Sequence, residues 1–253
     1  MISKLALITG ATSGIGAAFA KKFASQEYDL ILVGRREEKI RDFANKLRTE
    51  NNIHIEVIIA ELADDKNIGF LVEKIKALKN LEVLVNCAGF AIKGKKFHEE
   101  NIVAYKTMLK VHNEAVVQFT HAALPNMVEN KKGFIINVSS IMAYFPYARQ
   151  SIYTASKAFV SLFTESINAE LKGTGVYVQA LCPGLTQSDL HERIGIDVKQ
   201  LAKKRAWLWQ APMNPDVVAE KSIQCLEKHK TICIPGFANK LIVILGTLKR
   251  LLF

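Results

Sequence analysis

The sequence predicts an α/β fold: a doubly wound parallel sheet of about seven strands with helices on both faces. Three observations predict it. Short apolar runs of strand length alternate with segments of helical period along most of the chain. The strands are apolar on both faces, which suits strands sandwiched between two helical layers. A glycine-rich turn, Thr9-Gly10-Ala11-Thr12-Ser13-Gly14-Ile15-Gly16, joins the first strand to the first helix. Right-handed crossovers then make double winding the economical topology.

The elements follow in order. Leu5-Ala6-Leu7-Ile8 is an apolar run stopped by Thr9-Gly10 and reads as a buried strand. Residues 14–26 place Ile15, Phe19, Ala20 and Phe23 at helical spacing. Leu30–Val33 is a second strand, ended by Gly34, and residues 37–50 are a charged helix with Ile40, Phe43, Ala44 and Leu47 on one face. Ile53–Ile59 is a third strand, 66–79 a third helix, and Val83–Val85 a fourth strand running into Asn86-Cys87-Ala88-Gly89. A long helix is expected over about 99–129, a fifth strand at Gly133–Val138, a helix over about 152–172 and a sixth strand at Val176–Leu181. Residues 186–212 show no clean period. A helix over 215–228, with Pro215 in its first turn, precedes a short strand at Thr231–Ile234 and an apolar stretch over 237–252.

At 253 residues the chain can bury a large core without staples. Hydrophobic residues are 49% and charged residues 23%, which argues against a disordered or coiled-coil chain. With no linker-like stretch and no repeat, one domain is expected: a catalytic unit over 1–236, including a lid at about 186–212, followed by a tail over 237–253. Cys87, Cys182, Cys225 and Cys233 form no C-x-x-C pair and stand beside no His cluster, so neither a metal site nor a disulfide framework is expected. Met1-Ile2-Ser3-Lys4-Leu5 does not open a secretory signal, and the apolar segment Leu241–Leu248 is far shorter than the ~20 residues that span a bilayer. A cytoplasmic protein is expected.

The glycines at 10, 14 and 16 permit a tight turn and close approach of a pyrophosphate, and the helix that follows offers free N–H groups to that anion. With the spacing G-x-x-x-G-x-G rather than the commoner G-x-G-x-x-G, and placed after the first strand, Thr9–Gly16 reads as a Rossmann-like phosphate loop, the plainer reading being a simple turn. The second strand ends Val33-Gly34-Arg35-Arg36. An acidic residue there would hold a ribose 2′-hydroxyl; two arginines suit a 2′-phosphate instead. The expected cofactor is therefore NADP(H). A plainer reading is that one or both arginines begin a solvated helix, and Arg36 fits that better than Arg35.

Tyr153 and Lys157, four apart, lie on one face of the helix they open. Ser140 follows the fifth strand, whose carboxyl end borders the ligand crevice of such a sheet. A phenol is a poor catalyst at neutral pH until shifted, and an ammonium beside it favours the phenolate. With Ser140 holding a carbonyl oxygen against the phenol, the three residues form a proton-delivery site. Each alone could be a packing, solvated or turn residue.

Together these features resemble the short-chain dehydrogenase/reductase family over about residues 3–236. The matching motifs are Thr9–Gly16, Asn86-Cys87-Ala88-Gly89, Asn113, Ser140, Tyr153-x-x-x-Lys157 and Pro183-Gly184-Leu185-Thr186. The resemblance implies that Tyr153 is the general acid or base and that Lys157 binds the nicotinamide ribose and lowers the Tyr153 pKa. It implies that Ser140 orients the substrate oxygen while Ser139 faces elsewhere, and that Asn113 holds a relay water. Asn86 would brace the central strands, Ala88-Gly89 would leave room for adenosine, Pro183-Gly184 would lie along the nicotinamide, and Thr186 would contact the carboxamide or pyrophosphate. Where the family has an Asp near the adenine, this chain has Glu61 followed by Leu62. The family's common C-terminal ending is absent, which weakens a tetramer and leaves a homodimer through the helices at about 99–129 and 152–172.

The expected function is NADPH-dependent reduction of a lipophilic ketone or aldehyde. The rivals are a non-catalytic NADP(H) sensor on the same fold and an alcohol dehydrogenase running in reverse. Trp207 and Trp209 in the lid either wall an apolar pocket or cap the core, with Phe90, Ile92, Ile141, Met142 and Phe145 as further lining and Arg149 as a possible anion contact. Residues 199–253 hold ten basic and three acidic side chains, and Leu241, Ile244, Leu245, Leu248 and Leu252 form a helical stripe near Lys240, Lys249 and Arg250. That stripe packs on the domain or a second subunit, lies on an anionic membrane, or meets an acidic carrier. No nucleic-acid module is visible.

Overall fold

The computed structural model describes residues 4–188 and 212–251. Their centre is a parallel sheet in the order β3-β2-β1-β4-β5-β6-β7. The strands are β1 (Leu5–Thr9), β2 (Asp29–Gly34), β3 (Ile55–Ile59), β4 (Leu81–Asn86), β5 (Gly133–Val138), β6 (Val176–Leu181) and β7 (Ile232–Cys233). The helices are α1 (Gly14–Ala24), α2 (Glu37–Asn51), α3 (Asp65–Ala77), α4 (Ile102–Leu109), α5 (Ala115–Glu129), α6 (Ser151–Glu170), α7 (Pro215–Glu227) and α8 (Phe237–Leu251).

Strand alternation feeds two cores. Ala6 and Ile8 of β1, with Leu30 and Leu32 of β2, pack against Phe19 and Phe23 of α1 and against α2 and α7. Leu7 and Ile31 point the other way, onto Leu71 of α3 and Phe119 of α5. Both faces are covered, as the doubly apolar strands require. Register is set from the middle: Leu7 pairs with Ile31 on one side and with Leu84 on the other.

Several boundaries differ from the sequence reading. The helix expected over about 99–129 is present without interruption over 102–129, as α4, a π-helical turn and α5. A short turn at Phe97–Glu99 comes first, then α4, whose N-terminus is capped by Asn101 Oδ1 accepting from Val103 N–H at 2.8 Å. A π-helical turn, Lys110–Glu114, then joins α4 to α5. The third strand starts at Ile55, because Asn52 ends α2 in the left-handed region (φ 51°) and the chain needs two residues to re-enter the sheet. The last strand shrinks to two residues, paired to Ala180 and Leu181. Cys182 and Cys233 are buried, Cys87 and Cys225 are half-buried, and all four are free thiols.

The stretch over 237–252 is a helix that joins the domain. Val243 and Asn239 of α8 are buried, and Asn239 occupies the space a side chain on Gly184 would need. Gly246 lies against the Phe145 ring. The opposite face, Phe237, Leu241, Ile244, Leu245 and Leu248, is exposed. Among the described residues no helix is long and apolar enough to cross a membrane. Most of the expected lid, with Trp207 and Trp209, lies outside the described residues, as does Leu252.

Candidate cofactor and active site

The strand order reverses direction between β1 and β4, because the chain winds outward to β2 and β3 on one side and to β5–β7 on the other. Ligands of open α/β sheets bind at such a switch point, outside the carboxyl ends of the strands. A cavity of about 640 Å³ lies there, within the usual range for small-molecule sites.

One end of it is the phosphate loop. Thr9 Oγ1 accepts from the N–H groups of Cys87 and Ala88 at 3.0 and 3.1 Å, which locks the end of β4 against the end of β1. Gly10 (φ 69°) lets the two loops meet, since a Cβ there would stand 2.9 Å from Ala88. At Gly16 a Cβ would collide with the Gly10 carbonyl. Gly16 therefore shapes the turn from beneath, while Gly10, Thr12, Ser13, Gly14 and Ile15 face the cavity.

Both arginines also face it. Arg35 pairs with Glu61 at 2.6 Å. Arg36 precedes α2, but it does not simply begin a solvated helix. Its guanidinium donates to Thr12 Oγ1 at 2.7 Å and to Ser13 Oγ at 2.9 Å, inside the phosphate loop. Leu62, Ala88 and Gly89 continue the wall. Two guanidinium groups beside two hydroxyls and a helix N-terminus fit the NADP(H) expected from the sequence, with the 2′-phosphate toward the arginines.

The other end gathers Ser140, Tyr153 and Lys157. β5 delivers Ser139 and Ser140. Ser139 Oγ is bonded to the Lys157 carbonyl at 2.7 Å and to Ser161 Oγ at 2.8 Å, so its hydroxyl is committed to α6. Ser140 caps the turn Ile141–Tyr144, its Oγ accepting from Met142 N–H at 3.2 Å. α6 presents Tyr153 and Lys157 to the same cavity. Burial pushes the Tyr153 phenol up from its ordinary value, and a hydrogen bond with Ser140 pulls it back. Burial pushes the Lys157 ammonium down to about 8.

The resemblance implies that Lys157 lowers the Tyr153 pKa; in this structure the net shift of the phenol is upward, with burial its largest cause. Lys157 Nζ donates to the Val138 carbonyl at 2.9 Å and stands 5.9 Å from the centre of the Tyr153 ring.

A family model described as short chain dehydrogenase matches residues 4–199. The chain belongs to the short-chain dehydrogenase family. Sulfoacetaldehyde reductase 2 of Chromohalobacter salexigens is 34% identical over 222 residues, covering 87% of this chain and 86% of that protein. The NADP-dependent 3-hydroxy acid dehydrogenase of Escherichia coli K12 is 35% identical over 185 residues, 72% of each chain. A short-chain dehydrogenase from Sphingobium yanoikuyae in complex with NADPH superposes with a TM-score of 0.86 at 28% identity, covering 98% of this chain and 95% of that one.

Within this short-chain dehydrogenase, three expected residues stand behind the cavity wall. Gly16 has been placed. Asn86 braces the central strands, donating to Asn137 Oδ1 at 2.8 Å and to Thr120 Oγ1 at 3.3 Å. Asn113 donates to the Ser156 carbonyl at 2.9 Å, and its neighbour His112 lines the cavity instead. Pro183, Gly184 and Thr186 line it as well, and Met213 N–H, donating to the Leu185 carbonyl at 2.9 Å, holds their segment. Ile92 and Arg149 lie outside this cavity, along a small separate cleft. Among the lining residues that escaped the sequence reading are His112, Tyr147 and, from α8, Ile242.

Proposed function

We propose that this short-chain dehydrogenase is an NADP(H)-dependent carbonyl reductase whose substrate is a ketone or aldehyde with a lipophilic body. One observation carries the reading: a single cavity holds Tyr153, Ser140 and Lys157 at one end and Arg35 and Arg36 at the other. When bound, the nicotinamide supplies the hydride. The chain supplies position and the proton. Ser140 aligns the substrate oxygen, Tyr153 O–H donates to it, and Lys157, fixed on the Val138 carbonyl, reaches toward the nicotinamide ribose. Phe90, Met142, Phe145, Tyr147 and Ile242 give the substrate end its apolar wall. A non-catalytic sensor would have no use for a buried lysine next to a desolvated phenol. The experiment is NADPH and NADH oxidation against a panel of 3-oxoacyl thioesters, steroid ketones, medium-chain aldehydes, diketones and quinones. Consumption of NADPH with one class supports the reading; NADPH binding without turnover of any member revives the sensor.

The catalytic unit extends through α8, because Ile242 belongs to the cavity wall. The protein works as a homodimer through α4 and α6, which pack side by side and expose Ile102, Val103, Phe159 and Leu162. Light scattering is expected to give twice the chain mass, and Leu162→Glu to give the single-chain mass. A single-chain mass for the wild type would remove the dimer.

The protein is cytoplasmic, and the free apolar face of α8 rests on anionic membrane surface. Residues 237–253 contain Lys240, Lys249 and Arg250 and no acidic residue, the composition that favours an acidic lipid surface. Co-sedimentation with phosphatidylglycerol vesicles is expected, with little on phosphatidylcholine and loss in Leu241→Glu/Leu245→Glu. Equal recovery of that variant and the wild type would overturn this.

A further inference from the structure

Two consecutive side chains of the π-helical turn grip one residue of α6. His112 Nδ1 lies 3.1 Å from Ser156 Oγ, and Asn113 Nδ2 donates to the Ser156 carbonyl at 2.9 Å. Ser156 stands between Tyr153 and Lys157 in the chain. In a regular α-helix two consecutive side chains diverge by about 100°. The extra residue of a π turn changes that phase, and such turns recur at functional sites.

The hydrogen bonds around His112 have only one consistent direction. Phe90 N–H can only donate, so His112 Nε2, 3.1 Å away, accepts and carries no proton. The ring proton is then on Nδ1 and is donated to Ser156 Oγ. The Ser156 hydroxyl passes its own proton on to the Tyr153 carbonyl at 2.8 Å. Every polar atom in the chain from Phe90 to Tyr153 is satisfied by a neutral imidazole. An imidazolium would aim a donor at the Phe90 N–H. Burial and the charge of Lys157 both hold the ring neutral, well below the ordinary histidine range.

The ring also touches the reacting end of the cavity. It meets the Tyr153 ring edge to face, centroids 5.8 Å apart, and a Cβ on Gly89 would stand 3.1 Å from Nε2. His112 is 1% exposed and lines the cavity. A histidine that merely filled space would be matched by an apolar ring of similar shape. This one ties the Gly89–Phe90 segment to the first turns of α6.

We propose that His112 is a positioning residue for Tyr153: a neutral imidazole, protonated on Nδ1, that spans from Phe90 N–H to Ser156 and seats the phenol in the cavity. The proposal rests on the reading of Tyr153 as proton donor. Its first test does not depend on turnover. In protein labelled with ¹⁵N-histidine, the His112 signals, assigned by their loss in His112→Phe, are expected to show the neutral Nδ1–H tautomer at pH 7. The Nε2–H tautomer or an imidazolium would overturn the proposal.

The second test separates position from binding. His112→Phe keeps a ring but removes both hydrogen bonds, and Ser156→Ala removes only the acceptor of Nδ1–H. Each is expected to lower kcat, the first by about 10–100-fold, the range a displacement near 1 Å produces. The NADPH Kd, read by fluorescence titration, is expected to stay within about threefold, because the phosphate loop and arginines are untouched. Unchanged kcat in His112→Phe, or a loss carried wholly by the NADPH Kd, would contradict the proposal. Failure of the proton-donor reading looks different: Tyr153→Phe would then keep its turnover, whatever tautomer His112 shows.

Discussion

Tyr153→Phe is expected to lower carbonyl reduction by about 10²–10⁴-fold and to leave NADPH binding intact. The substitution removes one oxygen and keeps the ring that packs against His112. Lys157 Nζ donates to the Val138 carbonyl and stands 5.9 Å from the centre of the Tyr153 ring, and His112 Nε2 carries no proton. Ser140 remains, but an aliphatic hydroxyl is a far weaker acid than a phenol. General acid catalysis by a placed side chain is worth about 10²–10⁴-fold, and a loss in that range is expected in kcat. NADPH affinity, measured by fluorescence titration, stays near the wild-type value, since Arg35, Arg36 and the phosphate loop lie at the other end of the cavity. The same phenol sets the pH dependence. Burial raises its pKa, so it is protonated across neutral pH and ready to donate. Reduction is expected to hold level there and to fall as pH rises through the phenol pKa. Oxidation needs the phenolate and is expected to rise over the same window. A Tyr153→Phe enzyme with unimpaired kcat would remove this mechanism.

Replacing both Arg35 and Arg36 by Ala reverses the cofactor preference. Hydrogen bonds to charged groups contribute about 1.5–3 kcal/mol each, and both guanidinium groups line the end of the cavity proposed for the 2′-phosphate. The kcat/KM for NADPH is expected to fall by about 10²-fold or more, while that for NADH, which has no 2′-phosphate, changes little. The single variants divide the effect. Arg36 is anchored by the hydroxyls of Thr12 and Ser13, whereas Arg35 must be shared with Glu61. Arg36→Ala is therefore expected to cost more than Arg35→Ala. Parallel kinetics with the two cofactors check this, and an unchanged NADPH/NADH ratio in the double variant would contradict it.

What the sequence showed and what it hid have physical reasons. The phosphate loop was legible because its signal is local: three glycines between a strand and a helix. Tyr153 and Lys157 were legible because four residues on a helix return to the same face. The strand set was legible because both faces of each strand are buried, so apolar runs mark them with little competition. His112 was hidden by one residue of phase. A regular helix through 110–114 gives no reason to single it out beside Asn113, and the π turn that sets both side chains on Ser156 has no local sequence signal. Arg36 was underrated because its partners, Thr12 and Ser13, are 24 and 23 residues away. The sign of the Tyr153 shift was hidden because burial sets it, and burial of one phenol is a property of the packed fold. Ile242 was hidden because an amphipathic segment does not announce which of its faces is taken. The fit of Asn239 against Gly184 and of Gly246 against Phe145 seats α8 and turns Ile242 into the cavity.

The central claim is hydride transfer to a carbonyl carbon with the proton supplied by Tyr153. Its most direct test uses NADPH deuterated at C4 of the nicotinamide, incubated with the carbonyl panel and with wild-type or Tyr153→Phe protein, followed by mass analysis of the products. The wild type is expected to form one alcohol class with a single deuterium on the former carbonyl carbon, and the variant to form it about 10²–10⁴-fold more slowly. Product without deuterium at that carbon, or equal labelled product from both proteins, would contradict the account.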